Sequence, residues 1–418
     1  MFHYSKLSSI FAFGIFIVLY GCKLESEEIK TFEINFVNPI SVSTPVFIDI
    51  EPSLGGDLVL IKKTDGLITE ITAQRFKDRL WFIVEPNDGP LTRPIYTIKN
   101  RPGTEIEYKN LSATKKNGNL QLSLDNNPVL QYKYEINYPP DGIDSIYKKS
   151  GYIHPILTPN GDTLSRVNPP DHYHHYGLWG PWTHTRIDTM RVDFWNLGEG
   201  QGTVLFKKFE TTTSGPNFSS FNAVQEHLDF KTKDEPQIAL NENLNVTLWN
   251  LYRTDRFMFD YTTTFNSPLE NGILFEAYRY GGGIGMRFNE RWQKDNCTVL
   301  TSEGKNRLEA DGSNARWAII SGESNDGKGT NGILFMSHPE NRMHPEPMRV
   351  WPMDANGGRG DMFFEFCPIR HEEWKIEPKK DYKLKYRMVV FDGILTSDDA
   401  EAYWQVFANP PQIRIVSK

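Results

Sequence analysis

From about Thr31 onward the chain is a succession of short apolar and β-branched runs separated by turn residues. Val46 to Ile50, Leu58 to Ile61, Leu80 to Val84 and Ile95 to Ile98 are such runs, and Gly55-Gly56 and Asp65-Gly66 punctuate them. The same texture continues past Gly151, in Thr203 to Phe206, Leu244 to Tyr252, Met258 to Phe265 and Ile273 to Tyr280. It continues again in Trp317 to Ile320, Gly332 to Met336, Trp374 to Pro378 and Leu384 to Phe391. Helical periodicity is missing except over Ser397 to Ala408, where Ser397 can cap, Asp398 and Asp399 suit the first turn, and Pro410 stops the helix. The spacing predicts an all-β protein. A small N-terminal β-sandwich is expected over residues 31–140. A larger, many-stranded antiparallel β-sandwich is expected over residues 150–418, with Asp141-Gly142 and Ser150-Gly151 at the passage between them.

Composition narrows this. The 418 residues are roughly two or three domains' worth of chain. With 39% hydrophobic and 24% charged residues it can bury real cores and is not disordered. The aromatic share of 13% fits β-sandwiches and, equally, clefts whose rings stack on sugars. A net charge of −7 without a basic block excludes nucleic acid as a partner.

The first residues read as targeting sequence. An n-region ends at Lys6, and the apolar run Leu7 to Tyr20 is too short to span a bilayer comfortably. Leu19-Tyr20-Gly21-Cys22 resembles a lipobox. That implies a signal peptide over 1–21, lipidation at Cys22, an acidic tether over 22–30, and attachment to the outer membrane at the cell surface or its periplasmic face. Cys297 and Cys367 then remain; two cysteines alone do not establish a disulfide.

Candidate chemistry concentrates in three stretches. In Asp171-His172-Tyr173-His174-His175, three of the ten histidines fall within four residues, and Trp179, Trp182 and Trp195 follow. Histidine titrates near neutral pH and is the commonest metal ligand. The second stretch runs from Glu276 through Arg279 and Gly281-Gly282-Gly283 to Arg287. Its glycines let backbone approach a ligand or bend a strand, and their spacing is not that of a dinucleotide fold. In the third, Ser337 to Arg349, prolines stiffen a loop carrying His338, Asn341, His344 and Arg349. A purely structural role for each stretch stays open.

Tyr152-Ile153-His154-Pro155, the Asp171 to Gly177 core and Asp193-x-Trp195, with the two later stretches, resemble the bacterial family labelled PmoA-like, over about residues 151–407. That label implies a metal-dependent oxygenase.

Three chemistries fit the pooled residues. The first is acid/base work on a glycan, with His174 or His175 as acid/base, His338 or His344 as its partner, and Arg349 with Arg279 clamping a uronate carboxylate. His154, Asp171, Trp179, Trp182, Trp195, Glu276, Arg279, Arg287 and Asn341 would bind substrate. Elimination is favoured over glycoside hydrolysis, which needs two carboxylates about 5–5.5 Å apart or wider. Asp171, Asp193 and Glu276 keep hydrolysis open. The second is a divalent metal on His172 and His174, which share a face on a strand, whereas His174 and His175 would oppose each other. The third is non-catalytic glycan binding at the surface. Convergence of the separate histidine motifs in one cleft would favour an enzyme, and their scatter would favour binding. By fold analogy alone, the larger sandwich is of the supersandwich kind seen in galactose-mutarotase-like proteins and many polysaccharide lyases.

Overall fold

The computed structural model describes residues 28–36, 40–54, 57–86, 92–101 and 111–417. The expected signal peptide, Cys22 and most of the expected tether lie outside these. The last tether residues, Glu28 to Lys30, already belong to a strand, Glu28–Asn35.

The protein is an all-β sandwich. One antiparallel sheet has eight strands, in the order Gly202–Thr213, Phe218–Asp229, Gln237–Trp249, Arg256–Asn266, Tyr382–Asp392, Thr330–Ser337, Trp317–Glu323 and Cys297–Thr301. A nine-stranded sheet covers it, running from Asn314–Ala315 through Glu346–Val350, Phe363–Phe366, Ile284–Arg287, Leu178–Trp179 and Tyr152–Ile156. It ends with Asn127–Lys133, Asn119–Leu124 and Leu111–Lys116. The main core lies between these sheets.

The central strands read as unbroken apolar runs because both of their faces are buried. Along Thr330–Ser337, Ile333 and Phe335 enter the main core, while Leu334 and Met336 face the other way into a second core. Phe257 and Phe259 alternate with Met258 in the same manner. The second core is closed by the N-terminal unit and by the helix Ser397–Ala408. That unit pairs a five-stranded sheet with a three-stranded one around Phe32, Phe82 and Tyr96. Gln74 pins it to the larger sandwich, accepting hydrogen bonds from the backbone N–H of Asn217 and Phe218 at 3.0 and 2.9 Å.

Several expectations shift. Strands Leu111–Lys116, Asn119–Leu124 and Asn127–Lys133 lie in the nine-stranded sheet and not in the N-terminal unit, whose five-stranded sheet is completed by the C-terminal strand Gln412–Ser417. The helix is capped by Thr396, not Ser397. The Thr396 hydroxyl accepts from the Asp399 N–H at 3.1 Å, and the Asp399 carboxylate accepts from the Thr396 N–H at 3.0 Å, a reciprocal capping box. The strand expected over Ile273 to Tyr280 ends at Phe275. The glycines that follow serve packing: a Cβ on Gly282 would stand 2.1 Å from the Phe366 carbonyl oxygen, and one on Gly283 2.3 Å from Leu384. Cys297 and Cys367 are buried free thiols.

The outer face of the nine-stranded sheet positions the candidate site. Along its strands Ile153, Leu178 and Phe364 point into the main core, whereas Tyr152, Trp179 and Phe363 point outward. The outward rings join Tyr176, Trp195, Leu197 and Trp351 in a separate apolar cluster, and the histidine stretch sits on it.

Candidate functional site

Pro169 to His175 folds as consecutive turns. The Pro169 carbonyl accepts from the His172 N–H at 2.9 Å, and the His172 carbonyl accepts from the His175 N–H at 3.1 Å. The stretch is pinned back to its own stem by the Asn168 N–H, which donates to the His175 carbonyl at 2.8 Å. Gly177 is required where it stands, because its φ is +63° and a Cβ would lie 2.3 Å from the Ile153 carbonyl oxygen. Turn geometry stacks residues three apart. The His172 and His175 rings therefore lie 4.7 Å apart between centroids, and His174 sits 4.9 Å from His175 and 5.4 Å from His172. One nitrogen from each ring falls within 4.8 Å of the others. Opposed faces for His174 and His175 hold only on a strand, and this segment is not one.

Charged groups fix the cluster from below. The His172 Nδ1–H donates to Asp171 at 2.8 Å, so in the neutral form of this ring the lone pair sits on Nε2. Asp171 also accepts from Arg287 at 2.7 Å and from Asn356 at 2.8 Å. Burial works to raise its pKa, but the His172 hydrogen bond and the Arg287 charge outweigh that and hold the carboxyl well below the usual range. The Arg287 guanidinium lies over Trp351, 4.6 Å from the ring centroid, and 3.6 Å from Asp361. Arg359 holds Asp361 in turn, through two hydrogen bonds of 2.8 and 3.0 Å. Burial, then the neighbouring His172, depresses the His174 pKa to about 4. His175, 1% exposed, is pushed down far more strongly by burial. Both rings are neutral at pH 7, so they act as bases or ligands and not as cations.

A cleft of about 240 Å³ opens over the three rings. Trp195, Trp351, Tyr278 and Tyr280 wall it, Arg279 stands at its rim, and Thr183 and Asn196 contribute polar atoms. The Tyr280 hydroxyl accepts from Arg349 at 2.9 Å and from the Trp351 indole at 3.1 Å, so its own proton is left to point elsewhere. A larger cavity of about 710 Å³ lies between the N-terminal unit and the eight-stranded sheet, beside His338. The cations lining it are engaged: Arg387 pairs with Asp260 at 2.6 Å and Lys385 with Glu340 at 2.5 Å. The smaller cleft, where neutral imidazoles meet aromatic walls, is the better candidate.

A family model matches residues 119–405, and it covers all three motifs. The chain belongs to DUF6807, a family of unknown function. This corrects the resemblance to the PmoA-like family, and the oxygenase expectation drawn from that label goes with it. No curated protein matches the sequence. Among solved structures, the crystal structure of heparan sulfate lyase HepC from Pedobacter heparinus is similar at 11% identity and a TM-score of 0.34. The match covers 70% of this chain but only 38% of that one. A likeness that slight carries no argument about function.

In this DUF6807 protein only some of the expected site residues meet. His172, His174, His175, Trp195 and Arg279 line the cleft. Asp171, Arg287 and Trp179 lie beneath it as supports: Arg287 has no exposed surface, and Trp179 packs 5.6 Å from the His175 ring. Arg349 is buried behind Tyr280 and pairs with Asp311 at 2.7 Å, so it does not form an open clamp with Arg279. Glu276 is held by Arg186 and Arg191 in a neighbouring four-stranded sheet. Asp193 closes a turn, accepting from the Trp195 and Asn196 N–H groups at 2.8 Å each. Trp182 belongs to the main core, stacked 4.2 Å from Phe275. His154 faces Ser165 at 2.9 Å, and burial lowers its pKa to about 4. His338, His344 and Asn341 lie apart, against the helix and the eight-stranded sheet, so the separate histidine motifs do not converge and only the rings of one motif meet in the cleft.

Sequence reasoning missed Trp351 and Asp361. Trp351 stands two residues past Arg349 on the same strand direction, a period-two signal that was there to be read. Asp361 follows the glycine-rich turn and offers no local signal.

Proposed function

We propose that this protein is a carbohydrate-active enzyme that cleaves glycan fragments by elimination beside a uronate carboxylate. The carrying observation is the convergence of three histidines, two of them held neutral, with Tyr280 and Arg279 around one aromatic cleft. The aromatic walls suit a sugar ring, and the volume suits one ring better than a long chain. Arg279 is exposed at the rim and free to meet a carboxylate. His174 and Tyr280 are the candidates for removing and returning the proton.

The fate of the carboxylates favours a lyase over a glycoside hydrolase. Asp171 is engaged by three donors, Glu276 by two arginines and Asp193 by its own turn. None is left as half of an acid/nucleophile pair across the cleft. Attachment to the outer membrane through Cys22 is part of the same proposal, since a surface enzyme meets polymeric glycans. Incorporation of labelled fatty acid that is lost in Cys22→Ala tests that attachment.

The test of function is digestion of a panel of uronate-containing and neutral glycans, followed by ultraviolet absorbance and chromatography. Growth of absorbance from unsaturated products is the expected result. Cleavage without absorbance would replace elimination by hydrolysis. Retention of glycans without any cleavage would leave a binding protein.

A further inference from the structure

We propose that His172, His174 and His175 together bind one divalent transition-metal ion whose remaining coordination positions face the cleft. This goes beyond the glycan reading and holds whatever the substrate is; with the ion bound, the His174 nitrogen serves as a ligand and the proton transfer of that reading falls to Tyr280.

The first ground is geometric. Three imidazoles each bring a nitrogen within 4.8 Å of the others, at the floor of a cleft. Ligation at about 2.0–2.1 Å asks for nitrogens about 3.3 Å apart, a contraction of up to about 1.5 Å. His175 is fixed among Trp179, Trp195 and Phe363. The side chain of His172 keeps 30% of its surface exposed, and His174 is half-buried, so these two rings have room to turn inward.

The second ground is independent of the first. Metal-ligating histidines almost always give their other ring N–H to a carboxylate or carbonyl, which fixes the tautomer and the ring plane. His172 does this toward Asp171 at 2.8 Å. Asp171 is itself oriented by Arg287 and Asn356. The carboxylate is thus spent on orientation, and the Nε2 of His172 is left as a donor. The Nδ1 of His175 is buried without any hydrogen-bond partner, a costly arrangement unless something else meets its lone pair.

Three neutral nitrogen donors suit zinc, iron, cobalt, nickel or copper, and they suit magnesium or calcium poorly. Three protein ligands rather than four also leave the open positions that a catalytic ion needs. An ion there would stand within reach of anything bound between Trp195 and Trp351.

The test uses the chain without an affinity tag, stripped with chelator and titrated with Co²⁺. Its readouts are visible d–d absorption and metal content by mass spectrometry, so activity is not needed. One Co²⁺ per chain, displaced by one Zn²⁺, is expected. His174→Gln should weaken binding at least about a hundredfold, and Asp171→Asn about ten- to a hundredfold. His338→Gln, outside the cleft, should leave binding unchanged. Because a variant can fold poorly, thermal unfolding of the unaltered chain gives a second measure. Zn²⁺ should raise its midpoint in a concentration-dependent way, and Mg²⁺ should not. Substoichiometric Co²⁺, binding that survives His174→Gln, or a midpoint indifferent to Zn²⁺ would overturn the proposal. A glycan panel that fails would not touch it.

Discussion

Two histidine-bearing stretches look alike in sequence and differ in what their nitrogens meet. Around His172 to His175 the rings face one another over a cleft, and His175 carries a buried, unpartnered nitrogen. Around Ser337 to Glu346 the hydroxyl, amide and carboxyl groups of Ser337, Asn341 and Glu346 satisfy each other. Glu346 accepts from Ser337, from Asn341 at 3.1 Å and from Tyr386 at 3.0 Å. His344 lies 3.3 Å from the Ser337 hydroxyl and stacks on Trp404 of the helix. The Nδ1 of His338 accepts from the Glu340 N–H at 3.2 Å, and its ring packs on Phe407. A dense run of histidines is thus no guide by itself. The destination of each lone pair separates a reactive cluster from a structural knot.

The sharpest way to break this contrast is to remove one member of each stretch. His174→Ala should lower turnover by about a hundredfold or more, with little change in the melting midpoint. His174 is the informative choice because His175 is 1% exposed within the aromatic cluster, so its loss would disturb packing as well as chemistry. Turnover near the original rate in His174→Ala would remove the reactive role of the turn.

Glu346→Ala should do the reverse. It leaves Ser337, Asn341 and Tyr386 without their shared acceptor in a site with no exposed surface, at a cost of about 2–4 kcal/mol by denaturant unfolding. Residual activity should be close to normal wherever the protein remains folded. A neutral effect on stability would mean that the knot is not structural.

Acidity sharpens the same contrast. Burial raises the Glu346 pKa from the ordinary 4.5 to about 7. The folded state therefore holds a proton that the unfolded state has released. Stability from this group is complete below pH 4.5 and is lost as pH climbs through about 7. The gap corresponds to about 3 kcal/mol, which should appear as the difference between unfolding curves of the unaltered protein and Glu346→Gln. Parallel stability profiles from pH 4 to 8 would show that folding leaves the carboxyl at its ordinary pKa.

How far the chain could be read without its structure follows from the same physics. The strands were legible because period-two alternation and doubly buried runs are local signals, as in Ile333 to Met336. The convergence of His172, His174 and His175 was only partly legible. Their density marked a site, but a strand model put His174 and His175 on opposite faces, and only the turn bonds from Pro169 and His172 bring them together. Positions set by distant contacts were not legible. Arg287 and Arg349 look like free cations in sequence, yet Asp171 and Asp311 claim them from far along the chain. Trp182 stands beside the cleft residues in sequence but points into the main core with Phe275. The unit boundary was misplaced for a similar reason: the strand Asn127–Lys133 pairs with Tyr152–Ile156, which lies beyond the apparent break, and it carries Asn119–Leu124 and Leu111–Lys116 into the same sheet.

The smallest expected effect belongs to His338, which the sequence alone offered, with His344, as a partner in catalysis. Its ring is half-buried at the edge of the larger cavity, and burial followed by the nearby Lys385 lowers its pKa to about 4. Its one hydrogen bond, from the Glu340 N–H, can be replaced by water at that partly exposed position. The edge contact with Phe407 is the main thing lost on truncation. His338→Ala should therefore cost about 1 kcal/mol or less in stability and leave turnover within about twofold. A large fall in turnover at unchanged stability would couple the two histidine stretches across the sandwich, and it would mean that the contrast drawn from their hydrogen bonds fails.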